Sequence, residues 1–186
     1  MNTVVSLLPL LSLGYLVASL TWLAPRKPGY SHLLHTISEL GEIGSPDQRI
    51  VAWRVFLPVG LAFLPVSLLF HDSAPLVSAL ALCVAVGYLV AVLFPCDPGS
   101  PASGSARQGM HNLGGAVEYI GGGLSLLIAA DDYGVYARIA GFMVLGVAVG
   151  LTVLPAWAMR GMLQRVGESV LFISVAWLAW SHANES

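Results

Sequence analysis

Apolar residues run along this chain in six long blocks, at 3–23, 50–70, 76–94, 111–130, 136–157 and 166–181. Most come close to the ~20 residues that an α-helix needs to cross a hydrocarbon layer of about 30 Å. The pattern predicts an all-α fold: a polytopic integral membrane protein, its six transmembrane helices forming one bundle and one domain over 1–186. Block 166–181 is the shortest. The links alternate in length, long at 24–49, 95–110 and 158–165 and tight at 71–75 and 131–135. One end of the bundle therefore carries almost all of the non-helical chain.

Local signals agree with these boundaries. Ser45-Pro46-Asp47-Gln48 and Ser105-Ala106-Arg107-Gln108 both place glutamine three residues after a capping serine, which marks the starts of the second and fourth helices. Gly114, Gly115 and Gly121 to Gly123, with the Gly146-x-x-x-Gly150 pair, are expected to let helix backbones approach closely.

Composition narrows the class further. The chain is 56% hydrophobic and only 10% charged, whereas soluble domains carry about 25% charged residues. A net charge of −2 provides no basic field, which removes nucleic acid as a partner and leaves membrane lipid, with or without a protein partner in the membrane. Seven of the eight basic residues, Arg26, Lys27, Arg49, Arg54, Arg107, Arg160 and Arg165, lie at the end with the long links; only Arg138 lies opposite. By the positive-inside rule that end is cytoplasmic, both termini are outside, and the protein is a multi-pass component of the cell (inner or plasma) membrane. Trp22, Tyr30, Trp53 and Trp157 near one boundary, and Tyr133, Tyr136, Trp177 and Trp180 near the other, suit aromatic belts.

Polar residues gather in a few places. Drawn as a helix, 30–42 puts His32, His35, Thr36, Glu39 and Glu42 on one side and Leu33, Leu34, Ile37 and Leu40 on the other, predicting a short amphipathic helix lying on the membrane after the first span. Its polar side is either a solvated face or a place where imidazole and carboxylate converge, as a metal site or proton relay requires. In Phe94-Pro95-Cys96-Asp97-Pro98-Gly99 the prolines force a rigid turn that presents the Asp97 carboxylate at the boundary. His111 and Glu118 share a face of the fourth helix. A carboxylate at that depth needs compensation, and Arg54 is the expected partner. Arg160, Arg165 and Glu168 open the last helix, either as snorkelling anchors or as a cradle for a lipid phosphate.

Three functions follow from this pattern. In a lipid-directed hydrolase or transferase, His111, Asp97 and Glu39 activate water or a lipid hydroxyl, Ser38 positions it, Glu118 lies deeper on the same face, and Arg54, Arg107, Arg160 and Arg165 bind the head-group anion. In a non-enzymatic lipid-binding or complex-stabilising subunit, the same residues form a structural clasp. A small-solute transporter would need a broken helix, for which Pro58 and Pro65 are the only hint.

The stretches His35-Thr36-Ile37-Ser38-Glu39-Leu40-Gly41, Gly44-Ser45-Pro46, Phe94-Pro95-Cys96-Asp97-Pro98-Gly99 and His111-Asn112-Leu113-Gly114-Gly115 resemble the bacterial and archaeal membrane family known as domain of unknown function 998. The likeness spans nearly the whole chain and implies a six-helix fold and a rim site without an established activity. The Ser-acid-Leu-Gly turn is also similar to one in eukaryotic six-helix proteins of glycolipid-anchor remodelling and autophagy. A more distant resemblance is to the seven-helix hydrolases that include alkaline ceramidases, which bind zinc through histidine, aspartate and a C-terminal histidine pair. It implies zinc on His111 and Asp97, but only His182 stands near this C-terminus, so His32 or His35 would have to complete the set.

Overall fold

The computed structural model describes residues 2–155 and 158–185. Six helices long and apolar enough to cross a membrane run through them: α1 (Val4–Arg26), α2 (Gln48–Leu69), α3 (Pro75–Leu93), α4 (Ala106–Tyr133), α5 (Val135–Val153) and α6 (Arg160–Asn184). No strand occurs among the described residues. Helices adjacent in sequence pack together, and α6 both closes the bundle against α1 and touches α3. Aromatic rings join α2, α3 and α6 at the centre, with Phe63 and Phe172 at 4.7 Å and Tyr88 and Phe172 at 5.8 Å between centroids, in edge-on geometry. Leu11, Val17, Ile128, Phe142 and Val149 point outward. That arrangement fits a lipid surround, in which apolar surface needs no cover.

Three boundaries differ from the hydropathy pattern by four residues or more. Helix α5 stops at Val153, ahead of Pro155, and the end of the predicted block, with the belt residue Trp157, lies outside the described residues. Helix α4 starts at Ala106 rather than 111. Helix α6 starts at Arg160 rather than 166, so most of the expected link 158–165 is helical. Its first turns carry Arg160, Gln164 and Glu168 at four-residue intervals, all nine-tenths or more buried. This polar stripe lowers the hydropathy while facing the bundle, so the helix continues where the apolar pattern does not.

The amphipathic helix expected over 30–42 does not form. Residues 31–37 make turns, and only Ser38–Gly41 closes one turn of 3-10 helix. The reason lies in where the backbone groups find partners. The first amides of α6, Gly161 N and Met162 N, donate to Leu34 O and Leu33 O at 3.2 and 3.0 Å, and Ile37 N donates to the Gln164 side chain at 2.7 Å. The segment thus satisfies the free N–H groups at the start of α6 instead of building its own ladder. Gly161 makes this contact feasible: a Cβ there would lie 2.2 Å from His35 O and 2.7 Å from His32 O.

Two helices contain π-helical turns, Val51–Phe56 in α2 and Val117–Gly121 in α4. In α2 the cause is Pro58, whose missing N–H leaves the Arg54 carbonyl four residues earlier without its helical donor. The Tyr15 hydroxyl of α1 donates to that carbonyl. Helix α2 therefore runs unbroken from Gln48 to Leu69 despite Pro58 and Pro65. Glycines bring α4 close to its neighbours: an added Cβ would meet Glu118 Oε2 at 2.3 Å from Gly87 and the Gly123 carbonyl at 2.9 Å from Gly141. Gly115 and Gly146, expected to pack in the same way, face open space.

Candidate functional site

The two loops at the basic rim and the start of α6 are stitched together by hydrogen bonds. Ile43 N donates to Cys96 O at 3.0 Å, Gly99 N to Glu42 Oε2 at 2.7 Å, and the Arg160 guanidinium to Ser100 O at 2.9 Å. Within this junction His111, in the second turn of α4, comes between the loops. Its Nδ1 lies 2.9 Å from Phe94 O and its Nε2 lies 3.1 Å from Ser38 Oγ. A carbonyl oxygen can only accept, so Nδ1 carries the proton and Nε2 is left to accept from the serine hydroxyl. A hydroxyl, an imidazole and a carbonyl that orients the imidazole are thereby in line.

Ser38 and His111 both line a cavity of about 740 Å³ that also meets Asn112, Glu118, Arg160 and Gln164. Most of its other lining is apolar, with Ala91 of α3 and Leu145, Ala148 and Val149 of α5, beside Thr36, Ser100, Tyr119 and Thr152. Ile120, Val149 and Val153 line it while being exposed on the outer surface. The cavity therefore reaches the lipid-facing side of the bundle.

The remaining predicted residues are placed differently. Asp97 sits at the N-terminus of α4: its carboxylate accepts from Ser105 N and Oγ, both at 2.8 Å, and pairs with Arg107 at 3.1 Å. Ser105 Oγ in turn accepts from Gln108 N at 3.2 Å, as its spacing predicts, but the Gln108 side chain accepts from Asp97 N instead of the serine amide. At the second predicted cap, Gln48 reaches Gly44 N, and the Ser45 hydroxyl donates to Leu40 O. The carboxylate of Glu39 is turned into its own loop, accepting from Thr36 N and Oγ1 at 2.8 and 3.0 Å. Arg165 binds the Tyr30 hydroxyl at 2.7 Å, His35 O at 3.1 Å and His32 Nδ1 at 3.0 Å. Burial first, and then this guanidinium, lower the His32 pKa from its ordinary value.

The expected Arg54 to Glu118 pair is absent. Arg54 is exposed on the outer surface of α2, because the rotation of α2 turns position 54 away from the interior. Glu118 lies instead against Glu168, whose two oxygens accept from Tyr119 at 2.6 Å and Tyr88 at 2.9 Å. Neither tyrosine stands out in the sequence, since each falls within an apolar run. Gln164 and Glu168 did carry a signal: with Arg160 they make a polar stripe of period four on one helix face.

Among the described residues no three His, Cys, Asp or Glu side chains group as a metal site. The zinc set considered from sequence does not assemble. Both His111 nitrogens are engaged, Asp97 holds Ser105 and Arg107, His35 Nδ1 accepts from Ser31 N, and His32 faces a guanidinium that repels a cation.

Two expected results test this geometry. Burial pushes the Cys96 thiol up to about 12, so it stays a protonated, unreactive thiol. In a Cys83→Ala background, maleimide is expected to modify Cys96 only after denaturation, as read by mass spectrometry. The amide and hydroxyl of Ser105, aided by Arg107, lower the Asp97 pKa from its ordinary value. A depressed carboxylate stabilises the fold above its unfolded pKa, about 3.9, and loses that contribution as pH falls through the lower folded value. The melting temperature of the parent should exceed that of Asp97→Asn by a constant amount above roughly pH 5, and the gap should shrink in more acid buffer.

Six membrane-crossing helices with a polar rim define a polytopic membrane protein. The chain belongs to DUF998, described as a protein of unknown function, whose family model matches residues 10–181. No curated protein and no solved structure matches it.

Proposed function

We propose that this protein is a lipid-directed acyl hydrolase or acyltransferase in which Ser38 is the nucleophile and His111 its general base. The observation that carries the reading is the 3.1 Å contact from Ser38 Oγ to His111 Nε2, with Nδ1 anchored on Phe94 O, in the wall of a cavity that reaches the lipid face. In the proposed reaction Ser38 Oγ attacks an ester carbonyl and its proton passes to His111 Nε2. The Phe94 carbonyl holds the resulting imidazolium through Nδ1–H, and the leaving alcohol takes the proton from Nε2. Water then releases the acyl group, or a second alcohol accepts it. Arg160 lines the same cavity and supplies the positive charge for a head-group anion or for the developing oxyanion. Asp97, Glu39, Arg107 and Arg165 support the loops that bring Ser38 to His111. The cationic rim is placed on the cytoplasmic side by the positive-inside rule.

A long-chain alkyl fluorophosphonate tests this without knowledge of the natural lipid. The reconstituted protein is expected to gain one adduct, on Ser38, and the Ser38→Ala protein none. A folded parent protein that takes no label, or labelling that survives Ser38→Ala, would overturn the proposal.

A further inference from the structure

Arg160 and Glu118 both line the cavity, and each has a buried side-chain atom, Nε and Oε1 respectively, with no hydrogen-bond partner among the described residues. Both residues are nine-tenths or more buried, so water outside the protein does not serve these atoms, and a polar atom enclosed without a partner calls for one. They occupy different levels. Arg160 begins α6 at the rim, beside the Ser100 carbonyl it binds. Glu118 lies seven residues beyond His111 on α4, about 10 Å deeper at ~1.5 Å per residue.

Glu118 shares a side-chain hydrogen bond with Glu168, and no further donor reaches its Oε1 among the described residues. The two nearby hydroxyls, of Tyr119 and Tyr88, are both committed to Glu168. On α3 the facing position is Gly87, where a Cβ would meet Glu118 Oε2 at 2.3 Å. The walls beside it, Ile120, Leu145 and Ala148, are apolar. A ligand that fills this cavity meets polar groups at the rim, Arg160 among them, largely apolar side chains beyond them, and the Glu118 carboxyl at depth.

We infer that the cavity takes a lipid whose hydrocarbon chain carries a hydroxyl roughly 10 Å below its polar group, with that hydroxyl donating to the Glu118 carboxyl. The donor is a neutral hydroxyl rather than an ammonium group, because the apolar walls and the Arg160 guanidinium in the same cavity both disfavour a second cation. The anionic or carbonyl group at the other end meets Arg160. This inference rests on the reading of the cavity as a lipid site, and it adds that the chain must be hydroxylated.

The test measures binding to Ser38→Ala protein, so that turnover does not interfere. Three lysophospholipids are compared that are identical except in the acyl chain: stearoyl, mid-chain hydroxystearoyl, and the methyl ether of the latter, which accepts but cannot donate. The hydroxylated lipid is expected to bind about tenfold tighter than the other two, with the advantage lost in Glu118→Leu. Equal affinities for all three would overturn the hydroxyl inference and leave the lipid reading standing. Failure of all three to bind would overturn both. The comparison with the methyl ether needs no second variant, so a Glu118→Leu protein that fails to fold does not remove the test.

Discussion

Replacing His111 by alanine is expected to slow fluorophosphonate labelling of Ser38 by about 10²- to 10⁴-fold, the usual worth of a positioned general base. The serine hydroxyl alone is a weak nucleophile, and among the described residues the only ring nitrogen that hydrogen-bonds Ser38 Oγ is His111 Nε2. Stability should fall far less, by ~1–2 kcal/mol for the loss of the Phe94 and Ser38 contacts. Asp97→Asn is the informative contrast. If Asp97 acted with His111 in activating the hydroxyl, as the sequence pattern predicts, its neutralisation would slow labelling comparably. Its carboxylate is held by Ser105 and Arg107 instead, so the labelling rate at neutral pH should stay at the parent value. A slow Asp97→Asn alongside a fast His111→Ala would reverse the assigned roles.

Gly161→Val is expected to have the largest structural effect of any single substitution at the rim. A Cβ at 2.2 Å from the His35 carbonyl oxygen cannot be accommodated by rotating a side chain, because the obstacle is backbone. The turn 31–37 must lift away from α6, and the amides of Gly161 and Met162 then lose Leu34 O and Leu33 O. Overpacking and two unpartnered amides together are expected to cost ~3 kcal/mol or more. Ser38 lies three residues beyond His35, so labelling should disappear although Ser38 and His111 are untouched. Gly146→Ala is the control. Nothing lies within 4 Å of a Cβ there, and a helical glycine replaced by alanine is stabilising by about 0.5–1 kcal/mol. A melting temperature for Gly161→Val equal to that of the parent would show that the turn does not depend on this contact.

These two predictions rest on residues that the sequence singled out unequally. His111 was conspicuous, a histidine at the mouth of an apolar helix near a Pro-Cys-Asp turn. The sequence pattern makes Ser38 a positioning group, since nothing in its Ile-Ser-Glu-Leu neighbourhood shows that an imidazole from 73 residues away comes within hydrogen-bond distance. Gly161 had no signal at all, because close approach to a distant carbonyl leaves no local trace. The segment 30–42 misled for a related reason. Its helical periodicity is real, but the carbonyls that would have closed the helix are taken by the first turn of α6.

The sequence by itself determined the number of membrane-crossing helices, their approximate limits, the rim to which the polar loops belong and the membership of His111 and Glu118 in one helix face. Each of these follows from the length and period of apolar runs, quantities that a chain displays without folding. Only the tertiary structure decided that Ser38 rather than Asp97 meets His111, that Glu118 adjoins Glu168 rather than Arg54, and that Arg160 faces a cavity. The physical reason is the solvent. Lipid and protein interior are equally apolar, so hydropathy marks where a helix crosses but not how it is rotated about its axis. That rotation is set by glycine contacts, π-helical turns and hydrogen bonds between distant segments, which exist only once the helices are packed.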